Sequence, residues 1–136
     1  MTKNAFILKM LEKDTFSNWL GIQVEEARTG YCKLSYHIKP EMLNGFSSVH
    51  GGILFSASDS ALAFAANTHG NLSVALEVSI SFTRPAFEGD KLIVIAEEIH
   101  LGKTTAIYDI KTYNKEGKII CIFKGTVYRT GQSIID

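Results

Sequence analysis

The feature that most constrains the fold is a long helix-forming segment, residues 51–68, that is apolar on nearly every side. The segment is rich in alanine, contains no proline, and ends at His69-Gly70, where glycine suits a helix C-cap. Its apolar residues cover most of the helical circumference rather than one stripe: Ile53, Leu54, Phe55, Ala57, Ala61, Leu62, Phe64 and Ala65. A helix of this kind must be buried on nearly all sides. We therefore expect a sheet that wraps around one central helix.

The rest of the chain supplies the strands of that sheet. Apolar alternation and turn residues delimit six extended segments: 21–28, 31–37, 72–84, 91–99, 104–113 and 118–128. Segment 72–84 alternates strictly, as expected of an antiparallel strand with one buried face. A short helix over the first thirteen residues and a helical turn capped by Asp14 or Ser17 precede the strands. These patterns predict an α+β fold, an antiparallel sheet around one long helix, in a single domain spanning residues 1–136.

The charge balance excludes one class of partner and permits another. The chain has 14 Lys and Arg against 14 Asp and Glu, a formal net charge of +0. A nucleic-acid-binding protein needs an excess of cations, so we expect no nucleic-acid partner. A neutral chain has little self-repulsion, and the open edges of a sheet invite pairing with a second copy. We therefore expect a homo-oligomer.

The cysteines and the N-terminus indicate a protein that is not exported. Cys32 and Cys121 lie in apolar alternating segments, which predicts buried free thiols rather than a disulfide. The sequence contains no CxxC pair and no Cys/His cluster, so no metal site is expected. The apolar run 5–8 is too short for a signal peptide or a membrane span. We expect a cytoplasmic protein with no membrane partner.

One carboxylate, Asp59, interrupts the apolar helix. Burying an unpaired carboxylate costs several kcal/mol, so its presence needs a reason. Asp59 could meet Ser56, Ser60 or a backbone donor, or it could face solvent at a rim. Alternatively, it could carry a function. Taken alone, the residue leaves these interpretations open.

The residues just before the helix favour a binding site. Asn44, His50, Gly51 and Gly52 crowd the loop and the helix start, where unpaired N–H groups carry partial positive charge. The two glycines remove side-chain bulk, so a ligand oxygen could approach the backbone of Gly51 or Gly52. Each residue also has an ordinary explanation: tight packing for the glycines, a helix cap for His50, and a turn for Asn44.

Together these residues resemble a known signature. Asn44-Gly45, His50-Gly51-Gly52 and Asp59, in this spacing, resemble the motif of hot-dog-fold acyl-CoA thioesterases, in particular the phenylacetic-acid-degradation (PaaI-type) branch. The similarity continues through segments 80–90, 102–104, 108–110 and 123–126. It implies the hot-dog fold and hydrolysis of an acyl- or aryl-acyl-CoA thioester.

The resemblance also implies roles for the residues. Asp59 matches the catalytic carboxylate, which acts as nucleophile or as general base on water. Gly51 matches the glycine whose N–H polarises the thioester carbonyl. His50 and Asn44 match residues that position the thioester or the water. Coenzyme A is then part of the substrate and no cofactor is needed.

The resemblance further implies a dimer whose subunits share each site, assembled as a dimer of dimers. The spacing agrees, because eight helical residues separate Gly51 from Asp59 by about 12 Å. That separation is too large for both residues of one helix to act on the same carbonyl carbon. We expect Gly52 and Phe55 to contribute to substrate binding, with part of the pocket supplied by the partner chain.

Several alternatives stay open. The chain could be a hot-dog dehydratase or hydratase in which His50 and Asp59 form a proton-transfer pair. It could instead be a non-catalytic acyl-CoA-binding dimer with Asp59 as a buried structural acid. Some relatives hold the hydrolytic water with a Ser or Thr where Ala75 stands here. Ser73 could take over that role, or Asn44 could suffice, so whether Asp59 acts as nucleophile or base stays open. Arg84 could bind a coenzyme A phosphate, or pair with Glu88 or Asp90.

Overall fold

A computed structural model describes residues 4–134 and shows one antiparallel sheet with a long helix against it. The first three residues of the predicted first helix lie outside the described range. The sheet has six strands in the order β1-β2-β4-β5-β6-β3, and all neighbours pair antiparallel. The elements, in chain order, are α1 (Ala5–Lys13), α2 (Thr15–Leu20), β1 (Gln23–Arg28), β2 (Tyr31–His37), a 3-10 turn (Pro40–Met42), α3 (Gly51–Asn67), β3 (Asn71–Phe82), β4 (Lys91–Leu101), β5 (Thr105–Tyr113) and β6 (Ile119–Ser133).

The long helix α3 is the centre of the fold. It contacts all six strands, and most of its residues are buried, with Phe64 and Ala65 fully inaccessible. Among the largest fully buried side chains are Tyr36 on β2, Tyr108 on β5 and Phe123 on β6, and Phe123 packs against Phe55 of α3. The predicted α+β fold, with an antiparallel sheet around one helix, is confirmed.

The expectation that α3 is buried on nearly all sides needs a correction. Gly52 and Phe55 are exposed, while Ser56, Asp59 and Ala63 are only half-buried. These five residues recur every three or four positions, so they form one open stripe along the helix. The stripe is open because the described residues of the same chain cover it only in part, as where Phe55 packs edge-on against Phe123.

The ends of β6 and β3 differ from the sequence prediction: β6 continues further and β3 stops earlier. The structure extends β6 to Ser133, five residues beyond the predicted end at 128, because this polar stretch pairs with the start of β3, opposite Asn71. At the other end β3 stops at Phe82 rather than 84. There the N–H groups of Thr83 and Arg84 both turn to the carbonyl of Ile120.

The strand β3 forms one edge of the sheet. It pairs with β6 on one side and has no strand on the other among residues 4–134. The expectation of one buried face on this strand is wrong for a single protomer, because the alternating apolar side chains Val74, Leu76 and Phe82 stand exposed, Leu76 by 63% and Phe82 by 54%. A long apolar edge of this kind is a template for pairing with another chain.

The N-terminal helices close one end of the structure. Asp14, rather than Ser17, caps α2, since its carboxylate accepts from the Ser17 N–H at 2.9 Å and from the Ser17 hydroxyl at 2.6 Å. The Ser17 and Ser60 hydroxyls lie 2.8 Å apart and join α2 to α3. Asn4 caps α1 and donates through Nδ2 to the carbonyl of Thr68, which fixes α1 against the C-terminal end of α3.

Candidate active site

The loop that leads into α3 is built around Asn44. Its Oδ1 accepts from the N–H groups of Phe46 at 2.8 Å and Ser48 at 3.2 Å, and its Nδ2 donates to the Ser48 hydroxyl at 3.1 Å. Asn44 is therefore held by its own turn, as its ordinary interpretation expects. It also lines a cavity next to the helix start, so the turn and the proposed site share this residue.

His50 is the N-cap of α3. Its Nδ1 accepts from the Gly52 N–H at 2.8 Å, and its carbonyl accepts from the Ile53 N–H at 2.9 Å. These bonds satisfy two of the donors that a helix start leaves unpaired. The Gly52 N–H is thus occupied, whereas the Gly51 N–H makes no hydrogen bond to any residue in 4–134. Of the two predicted glycine donors, Gly51 is the one left for a ligand.

Phe82 of β3 packs directly over Gly51. A Cβ atom at position 51 would lie 3.1 Å from Phe82 Cζ, so a side chain there would push against the ring. The cavity beside Gly51 measures about 400 Å³ and is also lined by Leu54, Phe82 and Arg84. We call it the Gly51 cavity. Because position 51 has no side chain, the Phe82 ring and the unpaired Gly51 N–H both border this cavity.

Arg84 brings a cation to the Gly51 cavity. Within the described part of the chain it makes no ion pair, and Asp90 instead accepts from the Phe87 N–H at 2.8 Å. Of the two alternatives for Arg84, the ion pair with Glu88 or Asp90 is therefore not formed in the described residues. The guanidinium group is left for an anion from outside the chain.

Asp59 lies in a second cavity, of about 230 Å³, between α3 and β3. We call it the Asp59 cavity, and its walls are mainly apolar: Leu62, Ala63, Val74, Ala75 and Val127. Leu62 fits because its neighbour on β6 is Gly125, where a Cβ would lie 2.6 Å from Leu62 Cδ2. Burial, and secondarily the charge of Asp14, raise the pKa of Asp59 above its usual value.

The alternative partners of Asp59 are engaged elsewhere. The Ser56 hydroxyl donates to the Gly52 carbonyl at 2.7 Å, and the Ser60 hydroxyl pairs with Ser17. Across residues 4–134 no hydrogen bond or ion pair reaches the Asp59 carboxylate. The hydroxyl of Ser73, the predicted substitute for a water-holding residue, donates to the Asn71 carbonyl at 3.0 Å. Asp59 is thus a partly buried carboxylate whose oxygens are available to a substrate or water.

The structure does not assemble the predicted residues into one site within a single protomer. Asn44 and Gly51 share the Gly51 cavity, while Asp59 lies in its own cavity two turns further along α3. Gly52 and Phe55 sit on the open stripe between them, and Phe55 packs edge-on against Phe123 with ring centroids 5.4 Å apart.

Phe82 was missed by sequence reasoning. The alternation of segment 72–84 places it only on the strand face expected to be buried, whereas the structure leaves Phe82 54% exposed. Its contact with Gly51 depends on how the end of β3 meets the start of α3. The one signal available was its position inside segment 80–90, which resembles the family pattern.

The cysteines of the described chain are buried and lie outside both cavities. Cys32 and Cys121 are free and buried, as predicted, and burial raises the pKa of Cys32 to about 12. Residues 4–134 contain no group of three or more His, Cys, Asp or Glu side chains that could hold a metal ion. The same residues include no helix both long and apolar enough to span a membrane.

Comparison with known proteins identifies the family. The family model of the thioesterase superfamily matches residues 46–121, more than half of the chain and all of α3. The chain belongs to the thioesterase superfamily. This thioesterase is 39% identical to the acyl-coenzyme A thioesterase PaaI of Escherichia coli, over 92% of this chain and 89% of that protein. The predicted enzyme class, a thioester hydrolase, is confirmed.

Solved structures of other thioesterases have the same fold. The structure of the E. coli PaaI protein, from the phenylacetic acid degradation operon, matches with a TM-score of 0.92 and 35% identity, covering 97% of this chain and 99% of that one. A Streptococcus pneumoniae thioesterase solved with coenzyme A matches with a TM-score of 0.87 and 28% identity, covering 93% and 98%. The predicted hot-dog fold and PaaI-type resemblance are confirmed.

Proposed function

We propose that this thioesterase hydrolyses acyl-CoA thioesters, with Asp59 of one protomer and Gly51 of the partner subunit acting on the same carbonyl group. The observation that carries the proposal is the unpaired Gly51 N–H at the start of α3, which borders a cavity. A thioester oxygen bound there would meet both the N–H and the positive end of the helix dipole. Both stabilise the negative charge that develops on this oxygen during attack.

Asp59 starts the attack on the carbonyl carbon, either by activating water or by attacking directly. Acting as general base, it would take a proton from water, the hydroxide would add to the carbonyl carbon, and the C–S bond would break to release the thiolate of coenzyme A. Acting as nucleophile, it would add to the carbonyl carbon and expel the thiolate of coenzyme A as the C–S bond breaks, leaving a mixed anhydride that water hydrolyses to the free acid and the Asp59 carboxylate. Both routes need the ionised carboxylate, and the raised pKa of Asp59 makes it a better proton acceptor than an ordinary aspartate.

A dimer would resolve the separation of the two cavities. The free edge of β3, with Val74 and Leu76 exposed, offers a surface on which a second copy could continue the sheet. The open stripe of α3 carries Asp59 and Phe55 and lies uncovered in one protomer. A partner seated there would bring its own Gly51 cavity to Asp59. The assembly of such dimers into a dimer of dimers, and the cytoplasmic location, stay predictions.

Coenzyme A fits the charges near this site. Arg84 adds an unpaired cation to the Gly51 cavity, and the E. coli relative is named for acyl-CoA hydrolysis. A local cation can meet a phosphate without any net positive charge on the chain. We also include phenylacetyl-CoA among the proposed substrates, since the related E. coli structure comes from the phenylacetic acid degradation operon.

The geometry argues against the dehydratase alternative within one protomer. His50 is fixed as a helix cap, with its Nδ1 accepting from Gly52. Nine helical residues separate His50 from Asp59, which corresponds to about 13 Å. The two side chains of one protomer therefore do not form a proton-transfer pair.

The test is the release of free coenzyme A from a panel of straight-chain acyl-CoAs and phenylacetyl-CoA. We expect hydrolysis by the wild-type protein and a loss of about 10²-fold or more in kcat for Asp59→Asn. The control is Asp109→Asn, which removes a carboxylate that pairs with Lys111 at 3.2 Å outside both cavities. Binding of acyl-CoA without turnover, or an Asp59→Asn variant as active as wild type, would reject the proposal.

A further inference from the structure

Two cavities follow one another along the groove between α3 and β3. The first is the Asp59 cavity, and the second, of about 410 Å³, lies beyond it under α1. We call the second the α1 cavity, since Phe6 and Met10 of that helix line it together with Leu72. Ala63 in the first cavity and Asn67 in the second are one helical turn apart on α3. Leu72 and Ser73 are consecutive on β3.

A single side chain crosses the groove where one cavity ends and the other begins. The Asn67 Nδ2 donates to the Ser73 carbonyl at 3.1 Å, and the Ser73 N–H donates to Asn67 Oδ1 at 2.9 Å. The two residues are only 1% and 6% accessible. Asn67 thus ties the helix to the edge strand through both atoms of its amide. Asn67 lines the α1 cavity and its partner Ser73 lines the Asp59 cavity, so the bonded pair lies between the two.

The Asn67 amide is held in one orientation. Its second N–H donates to the Ala63 carbonyl at 2.8 Å, so both donors and the acceptor are engaged. Turning the side chain away would leave buried backbone groups of Ser73 unpaired, which is costly. The separation is therefore a rigid wall rather than a side chain that a ligand could push aside.

We propose that Asn67 is the end wall of the acyl-binding subsite and sets the longest acyl group that the enzyme hydrolyses. This inference rests on the proposed function, because it takes the Asp59 cavity as the place of the acyl group next to the reacting carbon. The walls formed by Leu62, Ala63 and Val127 suit an apolar chain. Removing the wall would join a cavity of about 230 Å³ to one of about 410 Å³ that is also partly apolar.

The experiment measures kcat/KM across acyl-CoAs from acetyl to hexadecanoyl for wild type and Asn67→Ala. In wild type we expect kcat/KM to rise with acyl chain length up to one length and to fall beyond it. That length is the limit. In Asn67→Ala the limit moves to longer chains, with a gain of about fourfold for each methylene group that enters the α1 cavity. Met10→Ala enlarges only the far cavity, so alone it leaves the limit unchanged and in the Asn67→Ala background it extends the limit further.

A second variant keeps the inference testable if Asn67→Ala does not fold, which circular dichroism and thermal unfolding will show. Ala63→Leu adds bulk inside the Asp59 cavity, on the near side of the wall, and should move the limit to shorter chains. A folded Asn67→Ala with the wild-type limit would overturn the inference, as would an unchanged limit in Ala63→Leu. Absence of any acyl-CoA hydrolysis by wild type is a different result, since it would remove the proposed function itself.

Discussion

At the scale of single residues, His50 serves the structure and the proposed chemistry at once, whereas Asp59 serves the proposed chemistry at a cost to stability. His50 caps α3 through Nδ1, and by doing so it occupies the Gly52 N–H while the Gly51 N–H stays unpaired. Asp59 occupies an otherwise apolar helix without a protein partner in the described range, so its charge lowers the stability of the fold. An unpaired, partly buried carboxylate is what a structural role would avoid and a catalytic role requires.

The Asp59 assignment predicts the pH dependence of the rate. Because the ionised form is needed and its pKa is raised by burial, kcat should fall with decreasing pH at values above 3.8, the ordinary pKa of aspartate. The residual activity of Asp59→Asn should lack this acid limb. Steady-state rates between pH 4 and 8, measured in buffers of constant ionic strength, give the comparison. If the rates of wild type and Asp59→Asn fall over the same acid pH range, the fall is due to another group.

Stability gives an independent measure of the same carboxylate. A raised folded-state pKa means that the folded chain binds the Asp59 proton more tightly than the unfolded chain. The stability cost is therefore present above the folded pKa and disappears as pH falls below the unfolded value. Asp59→Asn should then be at least as stable as wild type near pH 7 in urea unfolding. A clear loss of stability in this variant would favour Asp59 as a structural acid.

At the scale of elements, the start of α3 and the end of β3 form one unit. Phe82 covers Gly51, and a Cβ at position 51 would lie 3.1 Å from its ring, so a side chain there would have to displace the ring. The sequence predicted both elements, and it predicted the special character of the helix start from the Gly51-Gly52 pair. It could not predict that Phe82 covers Gly51, because strand periodicity gives the direction of a side chain and not what it meets.

This contact predicts the effect of Gly51→Ala. The added Cβ keeps the N–H but pushes on the Phe82 ring, so kcat/KM should fall by about tenfold or more as the bound carbonyl is displaced. Adding Phe82→Leu should recover part of the loss, because the smaller side chain makes room. Gly45→Ala is the matched control in the same region, since no atom lies within 4 Å of its added Cβ. Equal losses in the two alanine variants would contradict the contact as the cause.

At the scale of the whole molecule, one protomer holds two separate cavities that the proposed function assigns to the two halves of a site. The Gly51 and Asp59 cavities lie at different positions along α3, and the edge of β3 beside the Asp59 cavity has no neighbouring strand in the described chain. With two-fold symmetry, each half would meet the complementary half of the partner, which gives two sites per dimer. The neutral net charge places no general repulsion between copies.

Shared sites predict complementation between two inactive variants. Asp59→Asn lacks the carboxylate, and Gly51→Val blocks the helix start against Phe82, so each homodimer should be inactive. In a random mixture half of the dimers are mixed, and each of these has one intact site, which restores about a quarter of the wild-type activity. Co-expression with two affinity tags, followed by the coenzyme A release assay, measures this. No recovery in purified mixed dimers would show that each site belongs to one chain.

The grouping of Asn44, His50, Gly51 and Asp59 into one site rests on the family resemblance and stays a prediction. The sequence by itself determined the α+β class, the central helix and the strands, and it singled out Asp59 as a lone carboxylate in an apolar helix. It could do so because periodicity, turn chemistry and an unpaired charge in an apolar helix are local properties. Only the tertiary structure decided that the Gly51 N–H is the unpaired one, that one stripe of α3 is open, and that Asn67 crosses the groove to Ser73. These features depend on which groups meet across the fold, and a pattern along the chain does not contain those distances.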